Sequence, residues 1–212
     1  MKLCGVDEAG RGPVIGPLVV AAAAIKNEDL LNSMGLKDSK LLTSTRRKIL
    51  DKEIRKHCDF ALEIIDAQTV DSYVKNNELN KLSIIAFSSV IAKLKPTKAI
   101  VDSCDVNPAR FAQNILNQLG NSVNVEIDSQ HKADTLFPIV SAASILAKEA
   151  REKEMQSIRE EIGDCGSGYP SDPKTIAFLS KQWKKSRSWS IHIRQEWKTI
   201  KRFNTSSLDD FG

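Results

Sequence analysis

No run of about 18 uninterrupted apolar residues occurs in this 212-residue chain, so no helix of it is expected to span a bilayer. Cysteine is scarce. The four present, Cys4, Cys58, Cys104 and Cys165, lie far apart without a CxxC pair, so neither a zinc clip nor a redox pair can be read from spacing. Reduced, buried thiols are the expectation. A phosphate-cradling GxxxxGK[ST] loop is also missing, as are internal repeats and low-complexity segments. The opening MKLCGVDEAG brings in two carboxylates within eight residues, where a secretory signal would need an apolar run, and a cytoplasmic chain is expected.

Hydrophobic residues at 41% and charged residues at 27% are ordinary for a soluble globular protein, and the length suits one main domain with an appendage. The net charge of +4 says little until its distribution is considered. Basic residues crowd KQWKKSRSWSIHIRQEWKTIKRF, from Lys181 to Phe203, and are interleaved with Trp183, Trp189 and Trp197. Such a segment suits a surface that tracks a phosphate backbone. It equally suits an amphipathic helix pair with core tryptophans.

Strands are expected at Lys2 to Glu8, Leu18 to Ile25, Phe60 to Ile65, Lys98 to Ser103 and Val123 to Ile127. Helices are expected at Ser44 to Lys56, Leu79 to Lys95, Pro108 to Leu119 and Pro138 to about Ile162, then one capped by Asp172 with Pro173 at its first turn, and a last one after Ser190. The first two strands, joined by a short connection, should pair antiparallel, and the later strand-helix alternation needs parallel crossovers. The expected fold is therefore α/β, a mixed five-stranded sheet flanked by helices with a small C-terminal helical subdomain. Its expected division is 1–165 catalytic, 166–203 helical and substrate-binding, and 204–212 a flexible tail.

The segment VDEAGRG, Val6 to Gly12, poses the functional question. An ATPase carboxylate pair would need a phosphate loop upstream, and only six residues precede Asp7. A polar turn is the ordinary reading of an isolated acidic pair. It weakens once Asp102 is placed at the end of a parallel strand beside the first, and Asp134 between a strand and a helix at the same sheet edge. Four carboxylates without a nearby cation repel, and an all-oxygen set favours magnesium or manganese over zinc.

VDEAGRGPVIGPLVVAA resembles the opening signature of type 2 ribonuclease H (ribonuclease HII). Further matches are GLKDSKLLT (Gly35 to Thr43), IVDS (Ile100 to Ser103), HKADTLFPIVSAASILAK (His131 to Lys148) and GSGYPSDPKT (Gly166 to Thr175), in order over about Leu3 to Trp189. The chain looks like the compact archaeal form. The resemblance implies a ribonuclease H-like fold and an endoribonuclease that hydrolyses the RNA strand of RNA/DNA hybrids. It also implies cutting 5' of ribonucleotides embedded in duplex DNA, leaving 5'-phosphate and 3'-hydroxyl by two-metal-ion catalysis. Asp7, Glu8, Asp102 and Asp134 would be both the catalytic acids and the ligands of two Mg2+ or Mn2+ ions.

By the same resemblance, Gly10, Arg11 and Gly12 would let backbone groups approach the 2'-hydroxyl, the group that marks RNA, and Tyr169 would stack at the ribonucleotide-to-DNA junction. Lys40, Arg46 and Lys132 would contact phosphates without reading sequence. Ser144 is a further phosphate candidate, Ser141 the same or a helix back-bond, and Asp38 a loop cap or a direct contact. No catalytic histidine is required, so His57, His131 and His192 need no role. Arg187, Trp189 and Lys198 are candidates for the C-terminal groove. In the tail TSSLDDFG, Leu208 and Phe211 imitate a sliding-clamp peptide, with Thr205 in place of the usual glutamine and Gly212 in place of a second aromatic. A monomer is expected. A structure-specific DNA nuclease on the same fold, or a nucleic-acid module that binds without turnover, are the alternatives, separated by activity on all-DNA duplex and by the absence of turnover.

Overall fold

The computed structural model describes residues 2–27, 29–36, 43–121 and 123–205, in two compact units. One comprises Met1–Ala9, Val19–Ile64 and Asn80–Ala150; the other comprises Gly10–Leu18, Ile65–Leu79 and Arg151–Gly212. The unit that carries the C-terminal helices thus also takes in two segments remote in sequence, which a linear division of the chain assigns elsewhere.

The first unit holds the sheet. Strand β1 (Leu3–Ala9) pairs antiparallel with β2 (Leu18–Ile25) and parallel with β4 (Lys98–Asp102), which pairs parallel with β5 (Glu126–Gln130). With β3 (Asp59–Ile65) at the other edge, the order is β3-β2-β1-β4-β5. Every residue of β2 is buried, which is why LVVAAAAI reads as an apolar run without alternation. The crossover from β4 to β5 is α5 (Pro108–Leu119), started by Asn107, whose side chain accepts from the Arg110 amide, and by Pro108.

Short side chains bring α7 (Pro138–Ile162) close to this sheet. A Cβ on Gly5 would lie 2.3 Å from the Ile139 carbonyl group, so only glycine fits there. Val19, Ala21 and Ala23 of β2 cluster with Ile139, Ala143, Leu146 and Ala147, and α2 (Ser44–His57) adds Leu50 and Ile54. Helix α4 (Leu79–Leu94) meets α5 through Phe87 and Phe111, edge to face with centroids 5.2 Å apart. The unit also carries α1 (Asp29–Ser33) and the one-turn α6 (Ala133–Leu136).

The second unit contains α3 (Ala67–Lys75), α8 (Pro173–Ser186) and α9 (Lys198–Thr205). Its core gathers Val14, Ile15, Met155, Ile158, Leu179, Ile193 and Phe203, with Trp183, Trp189 and Trp197 packed against it. Trp183 and Trp189 stack at 5.0 Å. Of the two readings of the basic segment, the tryptophans follow the packing one.

Three sequence expectations are corrected. The fifth strand lies three residues later than Val123 to Ile127, because its ladder with β4 starts at the Lys98–Glu126 pair, which a 2.8 Å ion pair also joins. Helix α3 was not expected; Asp66 starts it by accepting from the Thr69 amide, and Ala67 and Val70 supply its short buried face. The last helix begins at Lys198, since Ile193 bridges to Ile15 and holds the preceding residues in turns. Cys4, Cys58 and Cys165 are buried thiols, Cys104 is half-buried, and none is bridged. Among the described residues no helix is long and apolar enough to cross a membrane.

Candidate active site

The ladder between β1 and β4 stops at the pair Val6–Val101, so Asp7 and Asp102 are neighbours just beyond its last rung. Asp7 lies on the α7 face of β1, two residues after Gly5, and is buried, as is Asp134 in α6. Burial first, and then the charges of Asp102 and Asp134, push the Asp7 carboxyl from 3.8 up to about 7. Opposing this are the Ser144 hydroxyl and the Glu8 amide, which donates to Asp7 Oδ1 at 2.7 Å. Ser144 is wholly buried on α7, and its influence on Asp7 does not reach the geometry of a full hydrogen bond. Asp102 is fixed through Oδ1, which accepts the Ala133 amide at 2.9 Å.

Glu8 points to the opposite face, as strand alternation requires, and its Oε2 accepts from the Ser83 hydroxyl of α4 at 2.9 Å. β1 runs on to Ala9, still paired with Val19, so the strand end does not swing Glu8 toward Asp7. Among the described residues, no three acidic, histidine or cysteine side chains converge as ligands of one point. Asp102 and Asp134 both act on Asp7, while Glu8 bonds Ser83 on the other face of the sheet. The donor set nevertheless fits a hard divalent cation: it is all oxygen, and Asp7 is held from ionising by its burial and by its like-charged neighbours.

In the second unit, Gly10 and Gly12 differ. Gly10 has φ +89°, and a Cβ there would lie 2.4 Å from the Pro17 carbonyl oxygen, so the backbone itself demands glycine. Gly12 is exposed with no positive φ, and a Cβ there would meet Tyr169 Cε1 at an ordinary 3.9 Å. The Tyr169 ring lies under the Arg151 guanidinium, 5.4 Å from its centroid, and Arg151 is itself anchored by the carbonyls of Ile15 and Ser167.

Arg46 is exposed and reaches the Met34 carbonyl at 3.4 Å. Lys132 is exposed in a left-handed turn, φ 57°, that opens α6. Ser141 donates to the Leu36 carbonyl, a packing role. Arg187 stacks on Trp183, and the Trp189 indole N–H donates to Asn204. His192 meets Glu161 at 2.9 Å, and His57 meets Glu53. Asp38, Lys40, Leu208 and Phe211 lie outside the described residues.

Sequence reasoning missed Ser83, Asp71, Arg194 and Trp197. A serine facing inward within the apolar stripe of α4 was a readable signal for the first. The others interact with backbone groups far away in sequence, which no local pattern reveals.

A ribonuclease HII family model matches residues 4–200. Ribonuclease HII of Archaeoglobus fulgidus is 41% identical over 207 residues, 98% of each chain, and that of Methanoregula boonei 41% identical over 198 residues, 93% of this chain and 92% of the relative. The crystal structure of ribonuclease H2 from Pyrococcus horikoshii superposes with TM-score 0.89 at 38% identity, covering 96% of this chain and 97% of the other. The Archaeoglobus fulgidus enzyme, solved as a PCNA:RNase HII complex, superposes at 0.87 with 40% identity over the whole of both chains.

Proposed function

Because this chain belongs to the ribonuclease HII family, we propose that Asp7, Glu8, Asp102 and Asp134 carry its reaction, and that Gly10 to Gly12 with Tyr169 select where it falls. The activity is that of a metal-dependent endoribonuclease: it hydrolyses the RNA strand of RNA/DNA hybrids and cuts 5' of ribonucleotides embedded in duplex DNA, leaving 5'-phosphate and 3'-hydroxyl. Two ions, magnesium or manganese, held by these oxygens would neutralise charge on the scissile phosphate and on its attacking and leaving oxygens.

The chain's own residues prepare that site. Ser144 favours the ionised form of Asp7, the Ala133 amide fixes Asp102, and Ser83 holds Glu8 on its own face. Exposed Arg46 and Lys132, together with Lys40, suit phosphate contacts that set position without reading sequence. Ser144 acts on Asp7 in this reading, and its full burial leaves phosphate contact the weaker role.

The observation that carries the assignment is an aspartate, Asp7, made hard to ionise by its burial and by two further acids, Asp102 and Asp134, gathered beside it. Selection of RNA is supported by Gly12, which is exposed and sets no side chain beside the exposed Tyr169 ring.

The test is an end-labelled DNA duplex containing one ribonucleotide, beside an all-DNA control, with magnesium, manganese or chelator, and with Asp102→Asn in parallel. One cut 5' of the ribonucleotide, lost with chelator and with the substitution, is expected. An intact ribonucleotide duplex under every metal, from folded protein, would overturn the assignment.

The PCNA complex of the Archaeoglobus fulgidus relative supports a sliding-clamp partner for this chain too, and the tail motif makes Leu208 and Phe211 the proposed contacts. A clamp pull-down that survives deletion of residues 205–212 would remove those residues from the reading.

A further inference from the structure

Arg194 is the largest fully buried side chain among the described residues, and a guanidinium taken out of water requires partners. Its guanidinium donates to backbone carbonyls of one loop. Nη2 donates to Gly10 O at 2.7 Å, Nη1 to Arg11 O at 3.1 Å and Nε to Gly16 O at 3.0 Å. The plane of Arg194 lies over the Trp197 ring, 5.0 Å from its centroid, and the Trp197 indole N–H donates to Gly12 O at 3.0 Å. Two side chains from one turn therefore hold the consecutive carbonyls of Gly10, Arg11 and Gly12.

That turn is anchored in its own right. Asp71 of α3 accepts the amides of Gln195 and Glu196, the latter at 3.1 Å. The Arg194 amide donates to Val14 O at 2.8 Å, and the Gly16 amide to His192 O at 2.9 Å. In a trans peptide the carbonyl and the following amide point in opposite directions. With the carbonyls of Gly10 and Arg11 turned toward Arg194, the amides of Arg11 and Gly12 are turned away from it, and the peptide after Gly12 leads into Pro13, which has no N–H.

We propose that Arg194 and Trp197, with Asp71 holding their turn, are positioning residues for ribose selectivity: they bind the loop's carbonyls so that the Arg11 and Gly12 amides are presented to the substrate sugar. This rests on the reading of the loop as the ribose sensor. A packing role alone would not call for this donor pattern, since buried ionic groups can often be exchanged for apolar ones at little loss of stability. The rigid fork of arginine matches several acceptors at once, whereas a lysine offers a single point of charge.

The test measures two constants for each variant: KM for a duplex with one ribonucleotide, and Ki for an identical all-DNA duplex as competitor. Trp197→Phe keeps the ring beneath Arg194 and removes the bond to Gly12. Arg194→Lys and Asp71→Ala are run alongside, with thermal melting to confirm folding. The expected result is a gap between KM and Ki that narrows about tenfold in Trp197→Phe, with Ki unchanged and more narrowing in Arg194→Lys. Loosening of the whole fold would lower the melting temperature and raise both constants together. An unchanged gap in Trp197→Phe and Asp71→Ala would overturn the proposal even if Arg194→Lys fails to fold. A wild type that binds both duplexes equally would instead overturn the sensor reading beneath it.

Discussion

Gly12 lies so near Tyr169 that a Cβ added to it would touch the ring at Cε1, 3.9 Å away, and, chain neighbours aside, would meet no other described residue within 4 Å. The same atom added to Gly10, two residues earlier, would sit 2.4 Å from Pro17 O. One glycine answers to the fold and the other leaves space beside an exposed ring.

Alanine separates the two. Gly12→Ala should melt within about 0.5 kcal/mol of the wild type, yet cleave a ribonucleotide-containing duplex at least about tenfold more slowly. Gly10→Ala should lose stability, by about 1–3 kcal/mol from its left-handed backbone before the clash is added. Paired melting curves and cleavage rates check both; full activity in Gly12→Ala would remove the sugar from that space.

Asp7 links the acid cluster to pH. Its folded pKa, raised to about 7, lies above the unfolded value of about 3.9, so the stability it contributes is full below the unfolded value and is lost as pH rises through about 7. In chelator, Asp7→Asn should therefore melt above the wild type near pH 8, with the difference gone near pH 4, while cleaving nothing. Magnesium near pH 8 should raise the melting temperature of the wild type more than that of the variant. Superimposable melting-versus-pH curves in chelator would contradict the cluster.

Ser83 holds Glu8 from the far face of the sheet, 2.9 Å from its carboxylate. Removing a group that orients a metal ligand commonly costs about 10–100-fold in metal affinity. Ser83→Ala should shift the magnesium concentration for half-maximal cleavage upward by about that factor, as titration of the rate would show. An unshifted titration would mean that Glu8 finds its place without Ser83.

Gly5 sets how closely α7 approaches β1, and through it the distance of Ser144 from Asp7 on the same face. Gly5→Ala forces a methyl to within 2.3 Å of the Ile139 backbone, an overpacking that costs about 1–3 kcal/mol or more. Denaturant unfolding should report that loss, together with reduced cleavage by the fraction that remains folded.

Legibility in the sequence followed the range of the signal. Pro108 to Leu119, Pro138 to Ile162 and Leu18 to Ile25 are marked by local features, a proline at a helix start or an unbroken apolar run, and their expected bounds match. Asp7 and Asp102 were legible because each follows an apolar run in one of two strands that pair in parallel, and both stand just past the last rung of that ladder. Glu8 was only half legible: alternation places it on the other face, but its partner Ser83 lies 75 residues away. The fifth strand was placed early because V-N-V-E-I looks apolar, whereas the ladder is set by where β4 begins. Arg194 had no legible role, since its acceptors are carbonyls, which every residue type carries.

The bonds from Arg194 to the loop span 178 to 184 residues of sequence. During synthesis, which proceeds from the N-terminus, Gly10 to Gly16 leave the ribosome among the first residues, and the turn that shapes them among the last. All four acids emerge before Arg194. A chain cut short of it would carry the four acids without the bonds that hold the loop, so on the proposed roles selectivity would be completed last in synthesis.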